Sequence, residues 1–380
     1  MASLAILLIH CALGGLAAPH SSQRPWLAPP SSKSPMEYDY FVSIAVISSA
    51  KLLITNSQHY GPVVDVRETQ LIRENDRKFV NSHWVAHWIT TKTDLDLLVV
   101  SHVSLRSKGD DPEGSNLYGG SVYELDSGFF SDYFAVGETA LFDSDVLDIQ
   151  FKDKYRWFAN SPDSFSSITT IGNWDDHAWN ITFEPRGPNL YDGGSAAFFW
   201  GTDYNREWAA PNALTTGTVT INGSTYEIDP ARSTSWYDRQ WGVGIATSGW
   251  YWFPIQLVDG TRICVWAVNP VGDYHKVFGT VLKTDGSHEV VTVLPDLQPK
   301  NSWVSKDTNI TYYESFTLSF PEKKGRLEVS VPYGKERQHG EFGAEDRNVA
   351  LYEAYAQVDG LWEGKQVSGW TVSEQKPFYG

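Results

Sequence analysis

The chain has 380 residues, and 30 Lys and Arg against 46 Asp and Glu give it a formal net charge of −16. Such acidity argues against a binder of nucleic-acid phosphates or a polybasic membrane-docking protein, both of which need a positive surface. A hydrophobic fraction of 41% excludes disorder, and 16 Trp, 19 Tyr and 18 Phe favour sheets over helices.

The N-terminus opens with an apolar run from Leu4 to Leu16, broken only by His10, Cys11 and Gly14-Gly15 and followed by Ala17 and Ala18. At about 13 residues it falls short of the roughly 20 that a membrane-spanning helix requires. Residues 1–18 are therefore predicted to be a cleaved secretory leader, although no Lys or Arg precedes the run, and no stable membrane insertion is expected. Residues 19–37 are rich in Ser and Pro and read as a loose linker.

From about Tyr38 onward the pattern is strand after strand. Leu95 to Leu105 is rich in β-formers, and Val219 to Tyr226 carries Asn222-Gly223, the pair that supplies the positive φ values of a tight hairpin turn. Further hairpins are predicted around Asp259-Gly260, Thr284 to Ser287 and Glu322 to Gly325. No window shows an apolar stripe of helical period and length, so the chain is all-β, of sandwich or barrel type. Loops shorten after about residue 215, which suggests two domains divided near residue 230.

Asn180, Asn222 and Asn309 each open an acceptor sequon for N-glycosylation, and Asn222, at a hairpin tip, is the most favourable. Once Cys11 leaves with the leader, Cys264 stands alone in an apolar strand pattern, so no disulfide and no Cys-based zinc site is expected. HExxH, GxSxG, phosphate-loop and dinucleotide fingerprints are all missing, and no metal or cofactor is predicted.

The segment that stands out is Ser235-Trp236-Tyr237-Asp238-Arg239-Gln240-Trp241-Gly242. As a strand it places Trp236, Asp238 and Gln240 on one face and Tyr237, Arg239 and Trp241 on the other. Charges between Trp side chains are costly unless paired or turned to a cavity. Two readings stay open: an Asp238–Arg239 ion pair locking a domain junction, or a carboxyl projecting into an aromatic-walled pocket.

This octet, preceded by Gly217 to Gly223 and followed by Gly249-Trp250-Tyr251-Trp252-Phe253, resembles the lipocalin-like AttH and carotenoid-hydratase superfamily and its fungal branch of Diels–Alderases. Ser82-His83-Trp84-Val85-Ala86-His87-Trp88 and the closing run from Gly364-Lys365 to Trp370 and Glu374 extend the resemblance over roughly residues 38–376. It implies a β-sandwich over 38–230, a lipocalin-like barrel over 231–380, and a pocket for a hydrophobic small molecule where the two meet. Trp84, His87 and Trp88 from the first domain and Trp236, Trp250, Trp252, Tyr355 and Trp370 from the second are expected to line that pocket. The implied activity is a cofactor-independent hetero-Diels–Alder reaction joining a tropolone-type quinone methide, formed by loss of water, to a humulene-type alkene. Asp238 corresponds to the superfamily's acid carboxylate, and Arg239 or Lys365 is expected to meet the tropolone oxygens. The alternatives are an intramolecular decalin-forming Diels–Alderase, an isoprenoid hydratase or dehydratase, and a non-catalytic carrier.

Overall fold

The computed structural model describes residues 26, 31–37, 41–44, 64–72, 80–105, 116–137, 140–141, 145–270, 275–332, 340–343 and 349–377. The expected leader at 1–18 lies outside them. Among the described residues the chain folds as a β-sandwich followed by a lipocalin-like barrel, built from three sheets of eight, seven and eleven strands.

The eight-stranded sheet runs through Leu190–Tyr191, Asp203–Ala210, Thr234–Gly242, Val80–Thr90, Asp96–Ser104, Asn116–Glu124 and Phe130–Gly137, with Ala197–Trp200 branching onto Asp203–Ala210. Facing it is the seven-stranded sheet, whose centre is Ala213–Ile221, His177–Pro185 and Ile168–Trp174. The Asn222-Gly223 turn has φ of 49° and 73°, the positive pair a tight hairpin demands. Between the sheets lie Val85, Ile89, Tyr237, Trp157, Trp179 and Phe183.

The eleven-stranded sheet begins at Gly249–Leu257 and ends at Lys365–Pro377, which pair with each other; Phe41–Ile44 joins its edge parallel to Ser287–Thr292. Its interior is filled by Phe253, Ile255, Val265, Leu318, Leu327 and Val358. Two strands are apolar on both faces because both faces are covered. In Val80–Thr90, Val85 and Ile89 enter the sandwich while Trp84 and Trp88 face the barrel; in Gly249–Leu257, Phe253 fills the barrel while Trp252 faces the sandwich.

Two expectations change. The division expected near residue 230 falls after Gly242, because Thr234–Gly242 pairs on one side with Val80–Thr90 and on the other with Asp203–Ala210, both strands of the sandwich. The loose linker of 19–37 is anchored at Trp26, which is 1% exposed, packs edge-on against Tyr355 and Trp370, and donates its indole N–H to Thr90 at 3.1 Å.

Candidate active site

Where the eight-stranded sheet meets the barrel wall there is a cavity of about 370 Å³. Strand register builds its sandwich side in rows. Asp238 lies opposite Trp84, which lies opposite His102, and one step along Glu207, Gln240, Ser82, Ser104 and Leu117 form a second row across five strands. All of these line the cavity. Equivalent pairing on the barrel side sets Trp252 against Trp266 and Glu374, and Trp250 against Lys376. Alternation in each strand selects the facing residues, and pairing aligns them. The loop carrying Ile245 and Ala246 closes the rim by resting on Gly201, where a Cβ would come within 1.8 Å of the Ile245 carbonyl oxygen.

Five carboxyls are buried in and around this cavity: Asp192, Glu207, Asp238, Glu353 and Glu374. Three of them accept an indole N–H. Trp236 donates to Asp238 at 2.9 Å from two residues away on the same strand face, Trp84 to Glu353 at 2.7 Å, and Trp250 to Glu374 at 2.5 Å. Burial, then the like charges of Asp192 and Glu374, push Asp238 well above the carboxylate range, against the pull of the Trp236 N–H. Burial raises Glu374 to about 7, with its indole bond pulling the other way. Glu353, directly opposite Glu374 on the neighbouring strand, is driven up by burial and by that neighbour's charge. His102 is held neutral by burial, at about 4.

Asp192 and Glu207 form a second pair. Burial raises Asp192 to about 7, and burial followed by the charges of Asp192 and Asp238 lifts Glu207 well above its usual range. Between two carboxylates their contact is only repulsive, and it becomes a hydrogen bond when one of them holds a proton; the Cys264 thiol and the Thr280 hydroxyl also lie against Asp192. Their oxygens and Cys264 Sγ lie within 4.8 Å of one another, the one grouping of this kind among the described residues. Burial also raises the Cys264 thiol, so metal ligation would have to displace its proton and the one between the two carboxyls.

Of the residues expected from sequence, Asp238, Trp84, Trp250 and Trp252 line the cavity. The others do not. Trp88, Trp236, Tyr355 and Trp370 pack with Trp26 into the apolar junction beside it, with Trp88 edge-on to Trp370. His87 points the opposite way, into the sandwich, where its Nδ1 meets Ser235 Oγ at 2.6 Å and its ring lies against Phe183. Arg239 also enters the sandwich side. Its guanidinium donates to the carbonyls of Thr69, Ser82 and Gln240 and to Asn81 Oδ1, so the junction ion pair with Asp238 does not form. Lys365 is exposed at a hairpin tip, roughly 30 Å along its strand from Glu374.

Sequence reasoning missed Asp192, Glu207, Glu353 and, as a site residue, Glu374. The available signal was an acid inside an apolar strand, as in Leu351-Tyr352-Glu353-Ala354 and Glu207-Trp208-Ala209.

A family model described as AttH-like matches residues 133–368. Kievitone hydratase of Fusarium solani subsp. phaseoli is 28% identical over 221 residues, spanning 57% of this chain and only 60% of that protein. Dehydratase asqC of Emericella nidulans is 24% identical over 305 residues, spanning 77% of this chain and 84% of that one. The crystal structure of kievitone hydratase from Nectria haematococca superposes with a TM-score of 0.72 at 23% identity, covering 83% of this chain and 92% of that one. At that identity the structural likeness speaks for the fold.

Proposed function

We propose that this chain, which belongs to the AttH-like family, is an enzyme of secondary metabolism that removes water from, or adds it to, an apolar aromatic substrate, with Asp238 as acid and Glu374 as base. The observation that carries this reading is the set of buried carboxyls around one Trp-walled cavity, with Asp238 held as the acid and Glu374 titrating near neutrality. Two carboxyls pushed to different values by their surroundings are how one site holds an acid and a base at one pH. The names of the relatives, a hydratase and a dehydratase, point the same way.

In the dehydration direction Asp238 gives its proton to the substrate hydroxyl, and the C–O bond breaks with its electron pair leaving on water. The adjacent carbon gives a proton to Glu374 as its C–H pair becomes the new double bond. Proton exchange with solvent resets both carboxyls, and hydration is the reverse sequence. These steps use only protons held by side chains. The test is Asp238→Asn, which keeps shape and removes the acid; turnover should fall roughly 10²–10⁴-fold.

A second reading grows from the indole walls. If the hydroxyl leaves a hydroxymethyl carbon on a tropolone-type ring with the Asp238 proton, as water, while a ring hydroxyl gives its proton to Glu374, the product is a quinone methide, and Trp84, Trp200, Trp250, Trp252 and Trp266 would shield it from water until a humulene-type alkene adds in a hetero-Diels–Alder step. Adding the alkene to a working reaction distinguishes the two. An adduct supports the second reading, and a product one water lighter, unchanged by the alkene, supports the first alone.

Secretion is also part of the proposal, with loss of 1–18 and glycan on at least one of Asn180, Asn222 and Asn309, all of them exposed. Intact mass of protein from a fungal host checks this; Met1 retained and no sugar would refute it.

A further inference from the structure

One part of the cavity's polar lining is acidic, at Asp238, Glu207 and Glu374; another, on the floor formed by the eight-stranded sheet, is neutral. There Ser82 pairs directly with Ser104. His102, two residues before Ser104, shares its face of the strand and lies opposite Trp84. On the other side of His102 is Gly119, which has no side chain to cover the imidazole. Directly opposed residues bring their Cβ atoms within roughly 5.5 Å, and residues two apart on a strand lie about 7 Å apart, so the two hydroxyls and the imidazole form one contiguous patch. All three residues are half-buried and line the cavity. Their side-chain polar atoms have no partner among the described residues, yet none is sealed away as the Trp200 and Trp266 nitrogens are, so they are open to whatever the cavity holds. Gln240 extends the row beyond Ser82, with its amide nitrogen buried.

A serine hydroxyl gives one hydrogen and accepts others, and a neutral imidazole gives one and accepts one. Burial holds His102 in that neutral form, at about 4. An uncharged floor that both gives and accepts suits a ligand group that does the same, which is a hydroxyl. The indole walls of Trp84, Trp250 and Trp252 suit a flat ring behind it. We propose that Ser82, Ser104 and His102 form a subsite for a phenolic or enolic hydroxyl of the substrate, whose O–H is donated to His102 and whose oxygen accepts from the serine hydroxyls. The inference rests on the reading of the cavity as a place of water removal or addition, and it names the substrate class: a ring that carries a free hydroxyl and, on a substituent, the carbon that loses or gains water. His102 stands two strands from Asp238, roughly 10 Å at the backbone, which leaves room for one substituted ring between the anchored hydroxyl and the C–O bond that Asp238 protonates. No bond of the substrate changes at the subsite; it fixes where the ring sits relative to the two carboxyls.

The test is equilibrium binding to the full chain, read by ligand-observed NMR, of p-cresol, 4-methylanisole and p-xylene, which share a methylated ring and differ at the hydroxyl. An apolar cavity alone favours p-xylene, because a phenol must shed its water to enter. The wild type should instead hold p-cresol at least about tenfold more tightly than p-xylene, the worth of one or two net hydrogen bonds. The anisole keeps the oxygen and loses the hydrogen, so it should bind close to p-xylene. His102→Phe, and Ser82→Ala combined with Ser104→Ala, keep the floor filled and remove its hydrogen-bonding groups; each should shrink the preference by about threefold or more. Asp238→Asn and Glu374→Gln should leave it intact. A wild type that prefers p-xylene, no saturable binding of p-cresol, the anisole matching p-cresol, or a preference that survives His102→Phe or is lost in Asp238→Asn would overturn the subsite. The wild-type comparison needs no variant to fold. Lost turnover in Asp238→Asn beside a wild type that prefers p-xylene would sink the subsite alone, and retained turnover in that variant with the p-cresol preference intact would sink the acid assignment alone.

Discussion

The two faces of Thr234–Gly242 are both largely buried and chemically opposite. On one, Tyr237 and Arg239 look into the sandwich with their own donors matched: Arg239 by four oxygens, and the Tyr237 hydroxyl by Gln70 and His83. On the other, Asp238 has one oxygen on the Trp236 indole and one without a partner, and it faces a cavity ringed by more acids. A buried acceptor left unmade costs about 1–3 kcal/mol, a cost carried by Asp238 but not by Tyr237 or Arg239. Satisfied polar networks specify structure, and unsatisfied ones facing a cavity mark chemistry. On the proposed function, adjacent residues of one strand divide stability from chemistry.

The sharpest way to break that contrast is to exchange the two outcomes. Asp238→Asn should cut turnover by roughly 10²–10⁴-fold and leave the melting temperature unchanged or higher, since it removes a buried acid. A large fall in melting temperature with unchanged turnover would show both faces to be structural. Arg239→Met should do the reverse. Stripping the cation from four acceptors should cost about 3 kcal/mol of stability in denaturant titration, while the remaining folded protein keeps its turnover.

The pH responses of the two sides should oppose each other. Glu374 and Asp192 have folded values raised to about 7, so their contribution is full below the unfolded carboxyl range and lost as pH rises through 7. His87 is lowered to about 3 by burial in the sandwich, so its contribution is present above the unfolded value of 6.5 and lost as pH falls toward 3. Melting temperatures across this range should show Glu374→Gln flattening the alkaline decline and His87→Phe flattening the acid one. Turnover should rise through about pH 7 as Glu374 ionises, and that limb should vanish in Glu374→Gln along with most activity.

Smaller effects refine the boundary. Trp84→Phe removes the N–H that Glu353 accepts and should cost about 1 kcal/mol of stability. Lys365→Ala, at an exposed hairpin tip, should stay within about 0.5 kcal/mol of wild type and leave turnover intact.

Much of this was legible in local pattern. Period-two alternation separates Asp238 from Arg239, and the same rule applied to Val80–Thr90 puts His87 with Val85, opposite Trp84. Alternation alone therefore turns His87 away from the pocket and into the sandwich. Trp88 is another matter: it shares Trp84's face but sits four residues on, roughly 13 Å along the strand, which carries it past the cavity into the junction. Nothing local distinguishes a Trp that lines a pocket from one that fills a core. Glu207, Glu353 and Asp192 belong to no motif, and each reads alone as an acid in a strand or turn.

By itself the sequence determined the all-β class, the hairpin at Asn222-Gly223 and the two-faced octet, because these follow from residue type and alternation along one strand. Only the tertiary structure decided that Thr234–Gly242 belongs to the sandwich, that Trp26 is buried, and that five acids meet. The physical reason is that register between strands distant in sequence sets which side chains become neighbours. A carboxyl's proton affinity then depends on those neighbours and on the water they exclude, neither of which is a property of the residue or of its flanking sequence.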